Sequence, residues 1–315
     1  MRPPTRSSSL PARRSSSARS EIGGSPTSPR PRTDLRPLRV RDRALPWGAR
    51  TYVMGIVNVA PDSFSGDGSA GPDEALGVAL AQRDAGADVL DFGAESTRPG
   101  HTPIEEATEL ERLIPALERL RSVDQSTIVS VDTFKPRVLR EARAAGADVL
   151  NSIWGLDDAL LEVALEENLP VVAMHNKAIP IYERDVVDEV VAYLEETAQR
   201  AVSRGMPPEH VILDPGIGFG KLAEHNLAIL RRLDRITALG FPTLIGTSRK
   251  STIGKLTGKP ADQRVFGTAA TLALAVAAGV DLVRVHDVAA ARDVVAVSDA
   301  IVRGWRPHGW SDSLG

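Results

Sequence analysis

A six-residue pattern recurs along this 315-residue chain. Ala-Gly-Ala-Asp-Val-Leu occupies residues 85–90 and again residues 145–150, and Ala-Gly-Val-Asp-Leu-Val at residues 278–283 is a looser copy. In each copy a helix-like segment gives way to a glycine, which suits a helix C-cap, and then to an aliphatic run typical of a buried strand. The pattern therefore predicts a fold made of repeated helix-to-strand units.

Eight strand-like runs alternate with segments of helical periodicity. The predicted strands are Tyr52–Val59, Asp88–Gly93, Thr127–Thr133, Val149–Trp154, Pro170–His175, Val211–Pro215, Pro242–Ser248 and Asp281–Val288. Each intervening segment is long enough for a crossover helix, and the runs are continuously apolar, as in parallel strands covered on both faces. Eight units in about 260 residues match the usual size of a (β/α)8 TIM barrel, so we expect an α/β fold of that kind.

An open, doubly wound sheet is the alternative fold. No Gly-x-Gly-x-x-Gly motif follows the first strand, so nothing indicates a dinucleotide site. Before the barrel, residues 37–50 suggest a small hairpin around Pro46-Trp47-Gly48. The expected organisation is an N-terminal tail over residues 1–36, a barrel domain over residues 37–309 and a C-terminal tail over residues 310–315.

The N-terminal tail is rich in Ser, Arg and Pro and holds almost nothing apolar to bury. Such a segment cannot offset its ordering entropy, so we expect it to be disordered. Its acid-poor composition is also similar to that of an organelle transit peptide, although its prolines oppose a long amphipathic helix. Organelle targeting and binding of an anionic partner are therefore alternatives.

Charge and composition narrow the class of function. Residues 1–43 hold 11 arginines against 3 acidic residues, whereas the whole chain has a net charge of -3. The remainder is thus acidic, which argues against nucleic-acid binding there. No apolar run approaches the roughly 20 residues of a transmembrane helix. The lack of cysteine excludes thiol chemistry and fits a reducing compartment, so we expect a cytoplasmic protein that acts on small molecules.

Polar side chains gather where the predicted strands end, and in a parallel barrel these ends meet at one ligand-binding mouth. Strand seven is the clearest case, because its aliphatic run stops at Ser248-Arg249-Lys250, and unpaired charge inside a core is costly. The other strand ends contribute Asn58, Asp132, Asn151, His175, Asp214, Arg284 and His286. Singly, such residues often cap helices or lie satisfied in a core, but their convergence predicts an active site.

The residue types indicate two ligand groups. Asp132, Asn151 and Asp214 suit a flat heterocycle that carries several N–H groups. A second set of donors suits an anion, most simply a phosphate. These donors are Lys250, Arg284 and His286.

A magnesium site is expected beside the anion. Asn58 with phosphate oxygens would bind Mg²⁺, which takes few protein ligands and keeps several waters. No nucleophile stands beside a base at a triad-like spacing, so covalent catalysis has no support.

Together these stretches resemble the dihydropteroate synthases, a pterin-binding enzyme family of folate biosynthesis. The resemblance runs from about residue 49 to about residue 305 and is carried by Met54–Val59, Pro61–Ser65, Glu95–Gly100, Ser130–Thr133, Asp214–Lys221, Ser248–Ser251 and Arg284–Val288. It implies a transferase that condenses (7,8-dihydropterin-6-yl)methyl diphosphate with 4-aminobenzoate. The products would be 7,8-dihydropteroate and diphosphate. In this family the bond to diphosphate breaks ahead of attack by the amine.

The resemblance also implies a role for each residue. The pterin would be held by Asp132, Asn151, Met174, Asp214 and Lys250, and the diphosphate by Asn58, Arg284 and His286, with Mg²⁺ on Asn58. The 4-aminobenzoate pocket would be framed by Phe64, Thr97, Arg98, Pro99, Phe219 and Ser251. The catalytic residues would be Lys250, Asp132, Arg284 and His286. We further expect a homodimer and inhibition by sulfonamides.

Three residues depart from the family's usual pattern: Ala60 stands where Thr is usual, Ala94 where Gly is usual, and Ser152 where Asp is usual. None of them is a ligand named above, although Ala60 would lose a hydroxyl contact in the first loop. These departures keep a non-catalytic pterin-binding paralogue as an alternative. A methyltetrahydrofolate corrinoid methyltransferase is another, but it would not need Asp62–Ser65 or the pair of Arg284 and His286.

Overall fold

The computed structural model describes residue 1 and residues 35–60, 71–95 and 103–311. A two-stranded antiparallel hairpin comes first, made of β1 (Leu38–Val40) and β2 (Arg43–Leu45). Its turn lies at residues 41 and 42, where Arg41 takes a φ of 54°. The hairpin prediction is therefore confirmed, but its expected turn around residues 46–48 is wrong.

A turn does form at the Pro-Trp-Gly stretch, where the Ala49 N–H donates to the Pro46 carbonyl at 3.3 Å and Gly48 takes a φ of 76°, but this turn follows the hairpin. Trp47 is buried beneath the barrel, where its indole N–H donates to the backbone oxygen of Glu209 at 3.1 Å. Its ring meets the ring of Tyr52 edge-on, with 5.9 Å between the centroids. The stretch thus leads the chain into the first barrel strand and closes the barrel from below.

Eight parallel strands of the described residues form one sheet that curls into a nearly closed barrel, so the TIM-barrel prediction is confirmed. The strands are β3 (Tyr52–Asn58), β4 (Val89–Gly93), β5 (Ile128–Asp132), β6 (Val149–Ser152), β7 (Val171–Met174), β8 (Val211–Asp214), β9 (Leu244–Ile245) and β10 (Leu282–Val285). Their order is β8-β7-β6-β5-β4-β3-β10-β9. A single parallel bridge between Leu213 and Thr243 joins the two ends of the sheet.

Helices surround the barrel. They are α1 (Pro72–Asp84), α2 (Glu106–Arg121), α3 (Pro136–Ala144), α4 (Asp158–Glu166), α5 (Val186–Ser203), α6 (Ala223–Arg231), α7 (Asp234–Thr237), α8 (Ser251–Thr257), α9 (Val265–Ala277) and α10 (Val288–Val302). In the described part of the chain none combines the length and apolar composition that a membrane crossing requires.

The interior of the barrel is filled at its amino-terminal end. Apolar side chains from the hairpin and from the first residues of the strands form one buried cluster there. Its members include Leu38, Leu45, Trp47, Tyr52, Ile128, Val172, Ile212 and Leu282. This cluster closes the lower end of the barrel, so ligands can reach the interior only from the carboxyl ends of the strands.

The repeated six-residue pattern has a structural explanation. Its glycines, Gly86, Gly146 and Gly279, take φ values of 96°, 106° and 90°, the left-handed conformation that ends a helix without steric cost. Each aspartate of the pattern bonds twice to one residue of the neighbouring strand segment. The backbone N–H of the aspartate donates to the carbonyl of that residue, and the aspartate carboxylate accepts the residue's backbone N–H. The pairs are Asp88 with Val53, Asp148 with Val129 and Asp281 with Thr243, at 2.8–3.0 Å.

Asp148 also pairs with arginines. Its Oδ2 accepts from Arg121 at 2.8 Å and from Arg41 at 2.9 Å, and both Asp148 and Arg121 are buried. Removing one partner of a buried pair leaves the other charge uncompensated. The loop-to-strand junction therefore depends on this carboxylate.

We expect Asp148→Asn to lower the free energy of unfolding by about 3 kcal/mol, because Arg121 would keep its buried charge without a full partner. Urea denaturation measures the change. The matched control is Asp158→Asn, which breaks an exposed pair with Arg200 and should cost less than about 1 kcal/mol. Equal losses in the two variants would contradict the assignment.

Candidate active site

The structure gathers predicted site residues at one end of the barrel, in the final positions of the strands. Asn58, Asp132, Met174 and Asp214 end β3, β5, β7 and β8, while Asn151 and Arg284 lie one residue before the ends of β6 and β10. Parallel strands end at the same edge of a sheet, so these side chains share one mouth.

Arg284 lies among carboxylates at the centre of this mouth. Its Nε donates to Oδ2 of Asp91 at 2.7 Å, and its terminal nitrogen donates to Oδ2 of Asp132 at 3.4 Å. The same Oδ2 of Asp91 accepts from the amide nitrogen of Asn151 at 3.0 Å. One carboxylate therefore links a residue predicted for the anion with a residue predicted for the heterocycle.

Acceptors remain open around this cluster. Oδ1 of Asp91, Oδ1 of Asp132 and the hydroxyl of Ser130 are buried without a hydrogen-bond partner among the described residues. Burial raises the pKa of Asp132 above its usual range, although Arg284 opposes the shift. Buried acceptors without partners are costly, so this part of the mouth suits a ligand that brings its own N–H donors.

Asp214 supplies a further carboxylate. Its Oδ1 accepts the backbone N–H of Gly216 at 2.7 Å. Burial raises the pKa of Asp214 to about 6, while the Gly216 N–H and the nearby Lys250 favour the ionised form. Asp214 is therefore a carboxylate at neutral pH and can accept from N–H groups.

Lys250 faces the glycine-rich loop that follows β8. Its Nζ lies 3.9 Å from the centroid of the Phe219 ring, within cation–π range. The neighbouring Arg249 turns away, because it is paired with Asp287 at 2.7 Å. Of the two cations that end strand seven, Lys250 is the one beside the predicted aromatic wall, and Ser251 begins α8 directly after it.

His286 contributes an uncharged imidazole. Burial lowers its pKa to about 3, helped by the nearby positive charge of Arg284. Its Nδ1 lies 3.0 Å from the hydroxyl oxygen of Ser248. At neutral pH His286 therefore offers hydrogen bonds to an anion, and the positive charge comes from Arg284.

Comparison with known proteins agrees with this geometry. The sequence model of the pterin binding enzyme family matches residues 54–286. The chain belongs to this family.

Relatives of known structure and function cover nearly the whole barrel. The dihydropteroate synthase of Bacillus subtilis is 41% identical over 276 residues, which make up 86% of this chain and 96% of that protein. The Thermus thermophilus dihydropteroate synthase in complex with 6HMPPP is 47% identical, with 84% of this chain and 100% of that chain covered and a TM-score of 0.74. The Yersinia pestis enzyme with a sulfonamide drug is 36% identical, with 85% and 100% covered and a TM-score of 0.80.

The departures from the family's pattern fall on buried structural positions. Ala60 and Ala94 are buried, and the backbone oxygen of Ala94 accepts from Arg112 at 3.3 Å. The hydroxyl of Ser152 donates to the backbone oxygen of Gly155 inside the turn after β6. Phe64, Thr97, Arg98 and Pro99 lie outside the described residues, so their predicted contacts with 4-aminobenzoate stay predictions.

Asp91 is the site residue that the sequence analysis missed. It lies in the middle of β4 and is completely buried, in a run that reads as an ordinary strand. Its partner Arg284 is 193 residues away along the chain. An isolated acid inside an aliphatic strand was the available signal, because a buried carboxylate requires a cation.

We expect Asp91→Asn to lower kcat/KM by about 10²-fold, because the neutral amide removes the negative charge that is paired with Arg284 and holds its guanidinium in the mouth. Steady-state kinetics measures the loss. The control is Asp88→Asn, which removes a buried carboxylate paired with Arg50 directly before the same strand, at the lower end of the barrel. It should reduce stability but leave kcat/KM within about twofold where the protein is folded, and the reverse ranking would refute the assignment.

Proposed function

We propose that this chain condenses (7,8-dihydropterin-6-yl)methyl diphosphate with 4-aminobenzoate, as a dihydropteroate synthase of the folate pathway. The observation that carries the proposal is the cluster of Arg284 with Asp91, Asp132 and Asn151 at the centre of the mouth. In this cluster the guanidinium of Arg284, which can bind an anion, lies directly beside side-chain oxygens that can accept hydrogen bonds from N–H groups. A pterin that bears a diphosphate needs this combination, and similarity to dihydropteroate synthases over most of the chain supports the same conclusion.

The pterin would lie on the carboxylate side of the mouth. Asp132, Asn151 and Asp214 would bond its ring N–H groups and ring nitrogens, and Lys250 would donate from beside the glycine-rich loop. Met174, buried at the end of β7, would pack against its face. The carboxylate of Asp214 also favours positive charge on the ring.

The diphosphate would be bound by Arg284, His286 and Asn58. The donor set fits Mg²⁺ brought by the substrate, since one amide oxygen plus phosphate oxygens and waters suffices for this ion. When bound, Mg²⁺ would neutralise charge on the departing diphosphate. Asn58, at the end of β3, would be the protein ligand. Among the described residues no group of three or more acidic or histidine side chains could hold a metal by itself.

The reaction is a displacement at the methylene carbon. The bond from this carbon to the diphosphate oxygen breaks and its electron pair leaves with the diphosphate. The amine nitrogen of 4-aminobenzoate then bonds to the carbon and loses a proton. Arg284 and His286 stabilise the negative charge that develops on one side, and the carboxylate of Asp214 stabilises the positive charge on the pterin. Asp132 would hold the ring by hydrogen bonds. Preorganised electrostatics of this kind are expected to be the largest contribution.

The 4-aminobenzoate would enter beside Phe219 and Ser251. The Phe219 ring gives an apolar wall, while Lys250 above it and Ser251 at the start of α8 offer donors for the carboxylate. A sulfonamide has the same ring and para-amine, so it would compete for this position.

Diphosphate release measured with purified protein should require both substrates, and exhaustive chelation should reduce it at least about tenfold until Mg²⁺ is added back. A release that is absent, or that ignores 4-aminobenzoate, would point to the non-catalytic paralogue. Undiminished release after chelation would contradict the role of Mg²⁺ alone.

We also propose a homodimer formed through α9 and α10. The helix α9 carries no charged residue, yet Phe266 and Leu274 on it are 79% and 66% exposed. Val297 and Ile301 on the neighbouring α10 are 61% and 79% exposed. A helix that is apolar all round is normally covered, and a second copy of this chain would cover it symmetrically.

In sedimentation equilibrium the wild type should behave as a dimer, whereas a Phe266→Glu and Leu274→Glu double variant should behave as a monomer, because charge placed in an apolar interface must be desolvated. The control is Val123→Glu, an exposed apolar residue in the loop between α2 and β5. A wild-type monomer, or a dimer that survives the double variant, would refute this interface.

The reaction would take place in the cytoplasm. The chain contains no cysteine, which fits a reducing compartment. Its substrates are small polar molecules of biosynthetic metabolism, which also suits this location.

A further inference from the structure

Lys221 is a polar residue of the barrel mouth that the proposed reaction leaves without a role. It follows the glycine-rich loop over residues 216–220. Its Nζ lies 2.9 Å from Nδ1 of His175, 3.1 Å from the backbone oxygen of His175 and 3.0 Å from the backbone oxygen of Phe219. An ammonium group has three N–H donors, and these three acceptors engage all of them.

The acceptor state of His175 follows from its surroundings. Its side chain is buried between the rings of Tyr182 and Tyr193, with centroids 6.2 Å and 5.0 Å away. Burial, together with the charge of Lys221, lowers the pKa of His175 to about 3. The imidazole is therefore neutral, and its Nδ1 can accept an N–H from the ammonium group.

The loop itself lies directly against the segment after β7. A side chain at Gly216 would collide with the backbone of His175, and one at Gly220 would collide with the backbone of Lys177. The hydroxyl of Tyr182 donates to the backbone oxygen of Gly220 at 2.9 Å. The loop backbone is therefore in direct contact with the segment after β7, and the Lys221 bonds to His175 add to this contact.

We propose that Lys221 is a positioning residue whose ammonium group ties the 216–220 loop to His175 and so fixes where Phe219 meets 4-aminobenzoate. The connection is short. Phe219 accepts an N–H of Lys221 on its backbone oxygen, and the side-chain ring of Phe219 lies beneath Lys250. The inference rests on the proposed function, since that function places 4-aminobenzoate beside Phe219.

Several charged groups face Lys221 from the elements around it. Asp214 at the end of β8 favours its charged form, whereas Lys250 and Lys177 disfavour it. Glu189 on α5 is paired with Lys177 at 2.8 Å, and His225 on α6 meets Tyr182 edge-on. Burial is the largest influence and, with the two lysines, lowers the pKa of Lys221 to about 7.

Protonation then has opposite effects on binding and on stability. Above a pH of about 7 the neutral amine of Lys221 has two N–H donors for three acceptors, so one hydrogen bond between Lys221 and its acceptors is lost. The KM for 4-aminobenzoate should therefore rise. In the unfolded chain Lys221 keeps its ordinary pKa of 10.5, so between these values the unfolded state binds more protons. Folding stability attributable to Lys221 therefore rises with pH in the same range.

The kinetic test compares Lys221→Met with the wild type. The variant should raise the KM for 4-aminobenzoate at least about fivefold and leave kcat within about twofold, because a misplaced wall weakens binding rather than the chemical step. Lys177→Met is the matched control, since Lys177 binds Glu189 and the backbone oxygen of Ile181 and forms no hydrogen bond to residues 216–220. Removing its charge favours the protonated form of Lys221, so this variant should not raise the KM. If Lys221→Met folds poorly, Lys221→Gln keeps two N–H donors and should give an intermediate KM.

The pH profile separates positioning from a purely structural role. The wild-type KM should rise as the pH passes from about 6.5 to about 8.5, and this rise should be missing in Lys221→Met. Over the same range urea denaturation should show wild-type stability rising relative to the variant. An unchanged KM in Lys221→Met, or the same pH profile in both proteins, would overturn the proposal.

Amide hydrogen exchange tests the loop independently of turnover. The Gly218 N–H donates to Asn226 at 2.9 Å and the Phe219 N–H to Gly216 at 3.1 Å, so both amides report on the loop. They should exchange at least about tenfold faster in Lys221→Met than in Lys177→Met at one pH. A wild type without turnover would refute the proposed function, whereas equal exchange in the two variants would refute the role of Lys221.

Discussion

A charge buried in a barrel must be paired, because an unpaired ion in the core costs several kcal/mol. At the lower end of this barrel the aspartates of the repeated pattern are paired with backbone N–H groups of neighbouring strand segments. At the upper end Arg284 is paired with Asp91 and Asp132. The first set aligns the strands, and the second set holds a cation ready in the mouth. Both sets of interactions exist because a buried charge needs a partner.

The two ends therefore have different tasks. Trp47, Tyr52 and the apolar cluster fill the lower end, where polar groups bond to other parts of the protein. Around Arg284 several acceptors are left for a ligand to satisfy. A substrate that brings N–H groups and an anion thus completes a network that the protein leaves incomplete, which is how binding energy becomes available at the reacting centre.

The sequence predicted the barrel and most of the mouth, because strands that alternate with helices run parallel and therefore all end on the same side of the barrel. Asp132 and Asp214 needed no further information, because each follows an aliphatic run directly. Asp91 was missed, because an acid inside an aliphatic strand indicates a buried cation but not which one, and Arg284 is 193 residues away along the chain. The hairpin turn was misplaced for a related reason: the Pro-Trp-Gly stretch does form a turn, but that turn places Trp47 beneath the barrel instead of joining the two strands of the hairpin.

The ring of hydrogen bonds around the barrel is not equally strong on all sides. Neighbouring strands elsewhere share two to five residue pairs, whereas β8 meets the segment before β9 at one bridge, Leu213 with Thr243. This seam lies between the strands that lead to Asp214 and to Lys250. The wall beside Asp214 and Lys250 is therefore held by fewer strand pairings than the rest of the barrel, so a change in the width of the mouth breaks fewer backbone contacts there than at the opposite wall.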